Sequence, residues 1–183
     1  MKNHLLFILL LLPLFLFGQR QVSMEEVEGS RELSMAETKG MRSNGMYRYY
    51  AKGERKAFTG ILYAKYDNGN YLSRQEYVDG IGEGKWINYY ENGNIKEVGY
   101  YKQNLVEGPI EKYYQNGQLK AKGTYKDWRI RIGQWEYYDE KGNLTERKDY
   151  GEKGSIEEVK AYYKRGDISY SWYKQILSDN GFE

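Results

Sequence analysis

Hydrophobic and polar residues alternate along most of the chain, in short runs that glycine-containing turns separate. Residues 84–101 read GKWINYYENGNIKEVGYY, and residues 108–125, GPIEKYYQNGQLKAKGTY, repeat the same pattern 24 residues later. Alternation with a period of two is typical of β-strands that have one packed and one solvated face. The pattern therefore predicts a series of antiparallel β-hairpins.

The hairpins recur with a period of 24 or 25 residues, which indicates a repeat architecture. We predict an all-β fold, a single-layer repeat of antiparallel β-hairpins over residues 46–174, in which 157–174 form a degenerate fifth unit. Residues 175–183 are expected to form a cap or tail, and the stretch WYKQILSDNGF, residues 172–182, is expected to form a short C-terminal helix. The predicted turn residues are Asn68, Gly69, Asn92, Gly93, Asn116, Gly117 and Gly142.

An Asn-Gly pair favours a two-residue type I′ loop, and paired residues must then be equidistant from the turn. This register sets Trp86 opposite Gly99 and Tyr90 opposite Ile95 on one packed face. A large ring opposite a glycine can lie across the glycine backbone. The predicted aromatic and glycine columns of the packed face are Trp86, Tyr90, Gly99, Tyr101, Ile110, Tyr114, Gly123, Tyr125, Trp135 and Tyr150.

The other face is predicted to be more polar. Opposite charges meet there in the predicted register, as in Glu136 opposite Arg147, which suits a solvated face. A row of tyrosines on that face would offer large, rigid contact area to a partner. The alternative is that these rings only shield the hairpin backbone. The predicted interaction strip consists of Tyr89, Tyr113, Tyr138, Lys96 and Lys120.

The N-terminus has the pattern of a secretory signal peptide. Lys2 precedes an apolar run of 13 residues at 5–17, and Gly18 is suited to a cleavage site. The run is shorter than the ~20 residues of a membrane-spanning helix, although an uncleaved anchor is the alternative. We predict a signal peptide at 1–18, a polar linker at 19–45, and a periplasmic or secreted protein.

Composition narrows the chemistry further. The formal net charge is +2, which does not favour binding to nucleic acid. The chain has no cysteine, and its one histidine, His4, lies in the predicted signal peptide. The exported chain would therefore lack the usual general base, the thiol nucleophiles and the common zinc ligand sets. We expect no catalytic site, no cofactor and no metal.

The stretch GKWINYYENGNIKEVGYYKQNLVEG, followed by GPIEKYYQNGQLKAKGTYKD, resembles the MORN-repeat variant family. It looks most like the YwqK-type bacterial members, often labelled as toxin–antitoxin antitoxins. The resemblance implies a row of hairpins that serves as a protein interaction or tethering surface, with a partner-neutralising role of the antitoxin or immunity kind. The antitoxin label usually implies a cytoplasmic partner, whereas the predicted signal peptide directs the expected interaction to the cell envelope. A Tyr- and Trp-rich repeat that binds cell-wall or other glycans is the alternative, and self-association stays open.

Overall fold

The computed structural model describes residues 31–43, 45–127 and 129–182. The predicted signal peptide and the first part of the predicted linker lie outside these residues. Two helices, α1 (Ile156–Lys164) and α2 (Tyr170–Asp179), follow the strands, and a 3-10 helix covers Met35–Glu37. The strands are β1 (Glu32–Ser34), β2 (Thr38–Ser43), β3 (Met46–Ala51), β4 (Gly60–Lys65), β5 (Tyr71–Val78), β6 (Ile81–Tyr89), β7 (Ile95–Lys102), β8 (Leu105–Val106), β9 (Gly108–Tyr113), β10 (Leu119–Lys126), β11 (Ile130–Tyr138) and β12 (Leu144–Asp149).

Within the described residues, ten strands form one sheet, and β2 and β3 form a separate two-stranded sheet. The large sheet has the order β1-β4-β5-β6-β7-β9-β10-β11-β12, with β8 attached to β7. Strands from β4 onward run antiparallel to their neighbours, whereas β1 joins β4 in parallel. The predicted row of antiparallel hairpins is therefore confirmed, and each unit packs on the units before and after it.

The Asn-Gly turns are not the two-residue loops predicted from the sequence. The Gly93 N–H donates to the Tyr90 carbonyl at 2.9 Å, and the Tyr90 N–H donates to the Asn94 carbonyl at 2.8 Å. Only the glycine has a positive φ, which is the pattern of a three-residue loop with a glycine bulge. The Asn92 carboxamide oxygen accepts the Asn94 N–H at 3.0 Å and stabilises this loop. The other three turns match, with φ of 88° at Gly69, 86° at Gly117 and 86° at Gly142.

Two-residue loops occur instead between the units. Asp79 and Gly80, with φ of 48° and 74°, join β5 to β6. Gln103 and Asn104, with φ of 51° and 67°, join β7 to β8. Two consecutive positive φ angles are what a type I′ turn requires. The chain therefore alternates two kinds of turn, one at each end of its strands.

Away from the Asn-Gly turns the predicted register is confirmed. Beside the turn the pairing shifts by one residue, so Ile95 pairs with Tyr89 and not, as predicted, with Tyr90. The third unit shows the same shift. The cause is the odd number of loop residues, which displaces one strand against the other. The confirmed pairs are Trp86 with Gly99, Gly84 with Tyr101, Ile110 with Gly123 and Glu136 with Arg147.

Residues 31–43 belong to the fold, so the linker predicted at 19–45 is wrong over this stretch. Strand β1 pairs with β4, and β2 pairs with β3 along its whole length. Leu33 and Met35 pack against a buried cluster that contains Leu62. The residues of β2, TKGMRS, are exposed or half-buried, and the strand has no apolar stripe that a sequence pattern would reveal.

Residues 157–174 are mostly helical, so the fifth hairpin unit predicted there is wrong. The Ser155 side chain accepts the Glu158 N–H at 3.4 Å and caps α1. The Gly166 N–H donates to the Tyr163 carbonyl at 3.0 Å, and its φ of 76° ends the helix. The glycine that resembled a hairpin turn is therefore the glycine after a helix. The predicted C-terminal helix is confirmed, but it is α2, it begins earlier, and α1 precedes it.

Both faces of the large sheet carry buried side chains. The tryptophan face, as we call it, contains Trp86 and Trp135, each 1% exposed, with Ile110 and Tyr125 between them. The opposite face carries a smaller apolar cluster, the Ile61/Ile87/Val98 cluster. That face is therefore only partly solvated. The two helices pack on each other beside the sheet and bury Val159 and Ile176 against Ile130.

Within the described residues, no helix is both long enough and apolar enough to cross a membrane.

Candidate binding groove

A groove of about 540 Å³ lies on the tryptophan face, between strands β7 to β11 and helix α1. Its volume falls within the ~300–1,000 Å³ typical of ligand sites. Glu97 of β7, Lys112 of β9 and Tyr125 of β10 line it from the sheet. Glu158 and Tyr162 of α1 line it from the helix. The central hairpins and the helix together make a concave, half-open site.

Two lysines lie at β-bulges beside the Asn-Gly turns. The pairing shifts leave Lys96 of β7 and Lys120 of β10 as the extra residue of each hairpin. A bulge re-aims a side chain, and both lysines line the groove. The equivalent bulge residue is Leu72 in the first unit and Thr145 in the fourth. The two central units therefore differ from the flanking units in placing a cation here.

The five cations that line the groove all lie over aromatic rings. A cation over a ring is attracted to it but keeps its charge. Such contacts therefore hold the lysines and arginines in place without neutralising them. The distances to the ring centroids are 5.6 Å for Lys96 over Tyr90, 5.1 Å for Lys120 over Tyr114, 5.5 Å for Lys112 over Tyr125, 5.4 Å for Arg129 over Trp86 and 4.6 Å for Arg131 over Tyr150.

Two carboxylates lie among these five cations, so the lining carries a net charge of +3. Glu97, whose side chain is 12% exposed, is 3.4 Å from Lys112 and 3.6 Å from Arg129. Glu158 accepts a hydrogen bond from Nε of Arg131 at 2.8 Å and thereby joins α1 to β11. Both carboxylates are therefore engaged with cations inside the site.

The bulge lysines have no such partner. Within the described residues, no carboxylate oxygen lies within 4.0 Å of Nζ of Lys96 or Lys120. Both side chains belong to exposed residues at the rim of the groove. The site therefore offers two positive charges to an anionic ligand without first breaking an ion pair.

Ionisation at neutral pH keeps the groove positive. Burial raises the pKa of Tyr125 and of Tyr162 to about 12, with nearby carboxylates as the next cause, so both rings stay neutral. Burial alone would lower the pKa of Arg131. Its hydrogen bonds to the Tyr137 hydroxyl and to Glu158 outweigh burial and raise that pKa. The tyrosines therefore add polar, uncharged surface beside fixed cations.

The predicted interaction strip is divided between the two faces. Lys96 and Lys120 line the groove on the tryptophan face. Tyr89 and Tyr113 pack half-buried against the Ile61/Ile87/Val98 cluster, although Tyr113 also contributes to the groove lining. Burial raises the pKa of the Tyr89 hydroxyl. Tyr138 is half-buried on β11. A contact role for the three tyrosines stays a prediction, and the packing gives two of them a structural role as well.

The predicted packed columns form the core beside the groove. A Cβ added to Gly99 would be 2.5 Å from a ring atom of Trp86, so the ring lies directly on the glycine backbone. A Cβ added to Gly123 would overlap the ring of Trp135 in the same way. Gly123 also pairs with Ile110 across the strands, as predicted. The other column residues packed in this core are Tyr101, Tyr125 and Tyr150.

Tyr90 and Tyr114, predicted in the packed columns, instead connect neighbouring units. The Tyr90 hydroxyl donates to the carbonyl of Tyr113 at 2.8 Å. The Tyr114 hydroxyl donates to the carbonyl of Tyr138 at 2.8 Å. Each ring therefore reaches from one hairpin to the next and carries a bulge lysine on its face.

A row of asparagines makes a second connection between units. The Asn92 carboxamide donates to the carbonyl of Gln115 at 3.3 Å, and that of Asn116 donates to the carbonyl of Glu140 at 3.1 Å. The turn of the first unit makes the same contact. The fourth turn carries Lys141 at this position. The asparagine row therefore joins four consecutive turns.

Two consecutive segments of the chain, residues 82–103 and 106–127, match the family model described as the MORN repeat variant. These units are similar to MORN repeats. The MORN-like segments contain both bulge lysines and both glycines that lie under tryptophan rings. MORN repeats are generally modules that bind proteins or membranes. No curated protein matches the chain.

Of the groove residues outside the MORN-like segments, the candidates chosen from the sequence included only Trp135. Arg129 lies in the connection before β11, Arg131 lies near the start of β11, and Glu158 and Tyr162 lie on α1. One signal was available, because Ser155 precedes Glu158 by three residues and such a pair often begins a helix. The contact between Arg131 and Glu158 has no comparable signal in the sequence.

Proposed function

We propose that the chain is an exported, non-enzymatic module that binds a partner protein at the cell envelope through the groove. One observation carries this proposal: two MORN-like units place lysines without carboxylate partners at the rim of a concave site lined by aromatic rings. Tyrosines, tryptophans and arginines are the residues enriched where binding energy concentrates in protein interfaces. An inhibitory role of the antitoxin or immunity kind is one form that such binding would take.

The chemistry of the groove supports binding more than catalysis. The chain has no cysteine and a single histidine, His4, in the predicted signal peptide. The groove carboxylates Glu97 and Glu158 are engaged in ion pairs with lysine or arginine. An acid–base catalyst needs a group that exchanges a proton near neutral pH. A groove of fixed cations and neutral tyrosines supplies attraction and contact area instead.

Glycan binding is a second candidate, and the helical end of the chain supports it. Tyr163 and Tyr173 stack with their ring centroids 4.7 Å apart. Tyr170 beside them is 62% exposed, and Trp172 is 38% exposed. Exposed aromatic faces of this kind are suited to stacking on sugar rings. This surface is separate from the bulge lysines, so the two candidates can be tested with different variants.

The test is cross-linking of the tagged full chain in its native envelope, followed by identification of what co-purifies. Lys96→Glu/Lys120→Glu changes the rim of the groove. Lys52→Glu/Lys56→Glu makes the same change of charge at two exposed lysines between β3 and β4. We expect one protein to be captured by the wild type and the control variant and to be lost from the groove variant.

Two results would contradict the proposal. Equal capture by the groove variant and the control would place the interaction elsewhere on the chain. Wall or glycan material without a specific protein would favour the second candidate, which Tyr170→Ser/Trp172→Ser should then abolish.

A further inference from the structure

We propose that the groove binds an extended acidic segment of its partner, in which two carboxylates three residues apart contact Lys96 and Lys120. This inference rests on the proposed function, because it names the chemistry of the segment that the groove would hold. The charge of the groove, the spacing of its lysines and its aromatic lining each support it.

The charge of the groove favours an anionic ligand. The lining carries a net charge of +3, and its two carboxylates are already engaged with Lys112, Arg129 and Arg131. The bulge lysines Lys96 and Lys120 remain without a carboxylate within 4.0 Å in the described part of the chain. A ligand carboxylate at each lysine would complete two ion pairs and would lower the charge of the site.

The positions of the lysines suggest the spacing of those carboxylates. Lys96 lies on β7 and Lys120 on β10, and β9 lies between the two strands. Neighbouring strands are ~4.8 Å apart, so equivalent positions on β7 and β10 are about 10 Å apart. A polyproline II segment rises ~3.1 Å per residue with three residues per turn, which puts residues i and i+3 on one side, about 9.3 Å apart. In an α-helix the same two residues are only ~5–6 Å apart.

The aromatic lining fits the residues between those carboxylates. The rings of Tyr90 and Tyr114 lie beside the lysines, and Tyr125 lies deeper in the groove. Polyproline II segments commonly bind in grooves lined by aromatic rings. A flat anionic membrane would reach the exposed lysines but not a tyrosine that is 5% exposed. The concave shape therefore favours a peptide over a lipid surface.

The experiment uses the full chain, produced with its own leader and purified after export, and fluorescein-labelled peptides in an anisotropy titration. The first peptide has four Glu-Pro-Pro triplets. The second has the same composition, but its glutamates are paired as Glu-Glu-Pro-Pro-Pro-Pro. The third has glutamine in place of glutamate. We expect the triplet peptide to bind several-fold tighter than the paired peptide, and the glutamine peptide to show no binding.

Variants of the protein identify the site. Lys96→Glu/Lys120→Glu should weaken binding of the triplet peptide about tenfold, since each lysine contributes one exposed ion pair that becomes repulsive. Lys52→Glu/Lys56→Glu has the same net charge and should bind as the wild type does. Raising the salt concentration from about 0.05 M to about 0.5 M should weaken binding strongly. A thermal melt of each variant confirms that it is folded.

Each other result overturns part of the reasoning. Equal binding of the two glutamate peptides would refute the three-residue spacing. If both lysine variants lost the same binding affinity, the loss would depend on the net charge of the protein and not on the groove. Anionic phosphatidylglycerol vesicles that bind through Lys96 and Lys120, without peptide binding, would make the ligand a membrane. If no peptide binds while envelope capture still depends on these lysines, the ligand class is wrong and the proposed function stands.

Discussion

The contact between Gly99 and Trp86 predicts that even a methyl group at position 99 destabilises the fold. A Cβ there would lie 2.5 Å and 2.8 Å from two ring atoms of Trp86, and 2.9 Å from Cδ1 of Ile110. Trp86 and Ile110 are each 1% exposed, so neither side chain can turn toward solvent to relieve the overlap. Gly99→Ala therefore forces a shift in the core of the tryptophan face.

The expected magnitude follows from two opposing effects. Overpacking a well-packed core costs about 1–3 kcal/mol. Replacing glycine by alanine also restricts the unfolded chain, which contributes about 0.4–1 kcal/mol in the other direction. We therefore expect Gly99→Ala to lower the free energy of unfolding by roughly 1–2 kcal/mol. For a domain of this size that corresponds to a fall in Tm of roughly 2–8 °C. Gly99→Val adds two methyl groups more than Gly99→Ala does, and should lower the free energy of unfolding by about 3 kcal/mol.

The assay is urea unfolding followed by tryptophan fluorescence, with Gly82→Ala as the matched control. Gly82 is a strand glycine without a positive φ, and its added Cβ would meet no atom closer than 3.2 Å. In a Trp86→Leu background the cost of Gly99→Ala should largely disappear, which gives a coupling energy of about 1–2 kcal/mol. A Gly99→Ala variant as stable as Gly82→Ala, or an unchanged cost without Trp86, would refute the packing explanation.

Three further predictions concern acid, base and the row of asparagines. Hydrogen bonds, first with Lys122, hold the pKa of Glu136 at about 2, so the stability that this carboxylate contributes is present above pH 4.5 and lost toward pH 2. Glu136→Gln should therefore reduce the fall in Tm between pH 4.5 and pH 2. An unchanged fall in Tm over this range would refute the assignment. Burial raises the pKa of Tyr125 to about 12, so the stability that its neutral hydroxyl contributes is complete below pH 10 and lost as the pH rises to 12. Tyr125→Phe should therefore lose less stability than the wild type between pH 10 and pH 12 in the same melts. Parallel curves of Tm against pH for the two proteins would contradict the assignment. Asn116→Ala should cost about 0.5–1.5 kcal/mol in urea unfolding, because its hydrogen bonds to the next turn and to the Gln118 N–H are lost. Asn116→Asp keeps the acceptor for Gln118 and loses only the donor to the Glu140 carbonyl, so a cost of Asn116→Asp equal to zero would refute the inter-unit contact.

The sequence predicted the repeat, the antiparallel order and most strand pairs. The pairing of Trp86 with Gly99 followed from the period-two pattern, which depends on the whole strand and not on the details of a turn. The position of Lys96 did not follow, because one extra loop residue moves a side chain to the other face. The Asn-Gly signal is compatible with both loop lengths, and the asparagine hydrogen bond that decides between them is visible only in the structure.

The helical end of the chain shows a second limit of sequence reading. A glycine with positive φ can close a hairpin loop or follow a helix, and the sequence pattern predicted a hairpin loop at Gly166 where the structure has the end of a helix.

The groove shows a third limit. Arg131 and Glu158 are 27 residues apart on different elements, and their contact depends on where α1 packs on the sheet. Half of the candidate site could therefore be found from the repeats, and the rest required the tertiary structure.

The asparagine row has a consequence for how such a chain can change in length. Each of the first three turns donates to the turn that follows it, through an asparagine side chain that these units share. Duplication of one 24-residue unit would satisfy the same hydrogen bonds, widen the sheet by two strands, about 10 Å, and supply one more bulge lysine. If the groove binds the acidic segment proposed above, the number of units would set the length of the segment that it can hold.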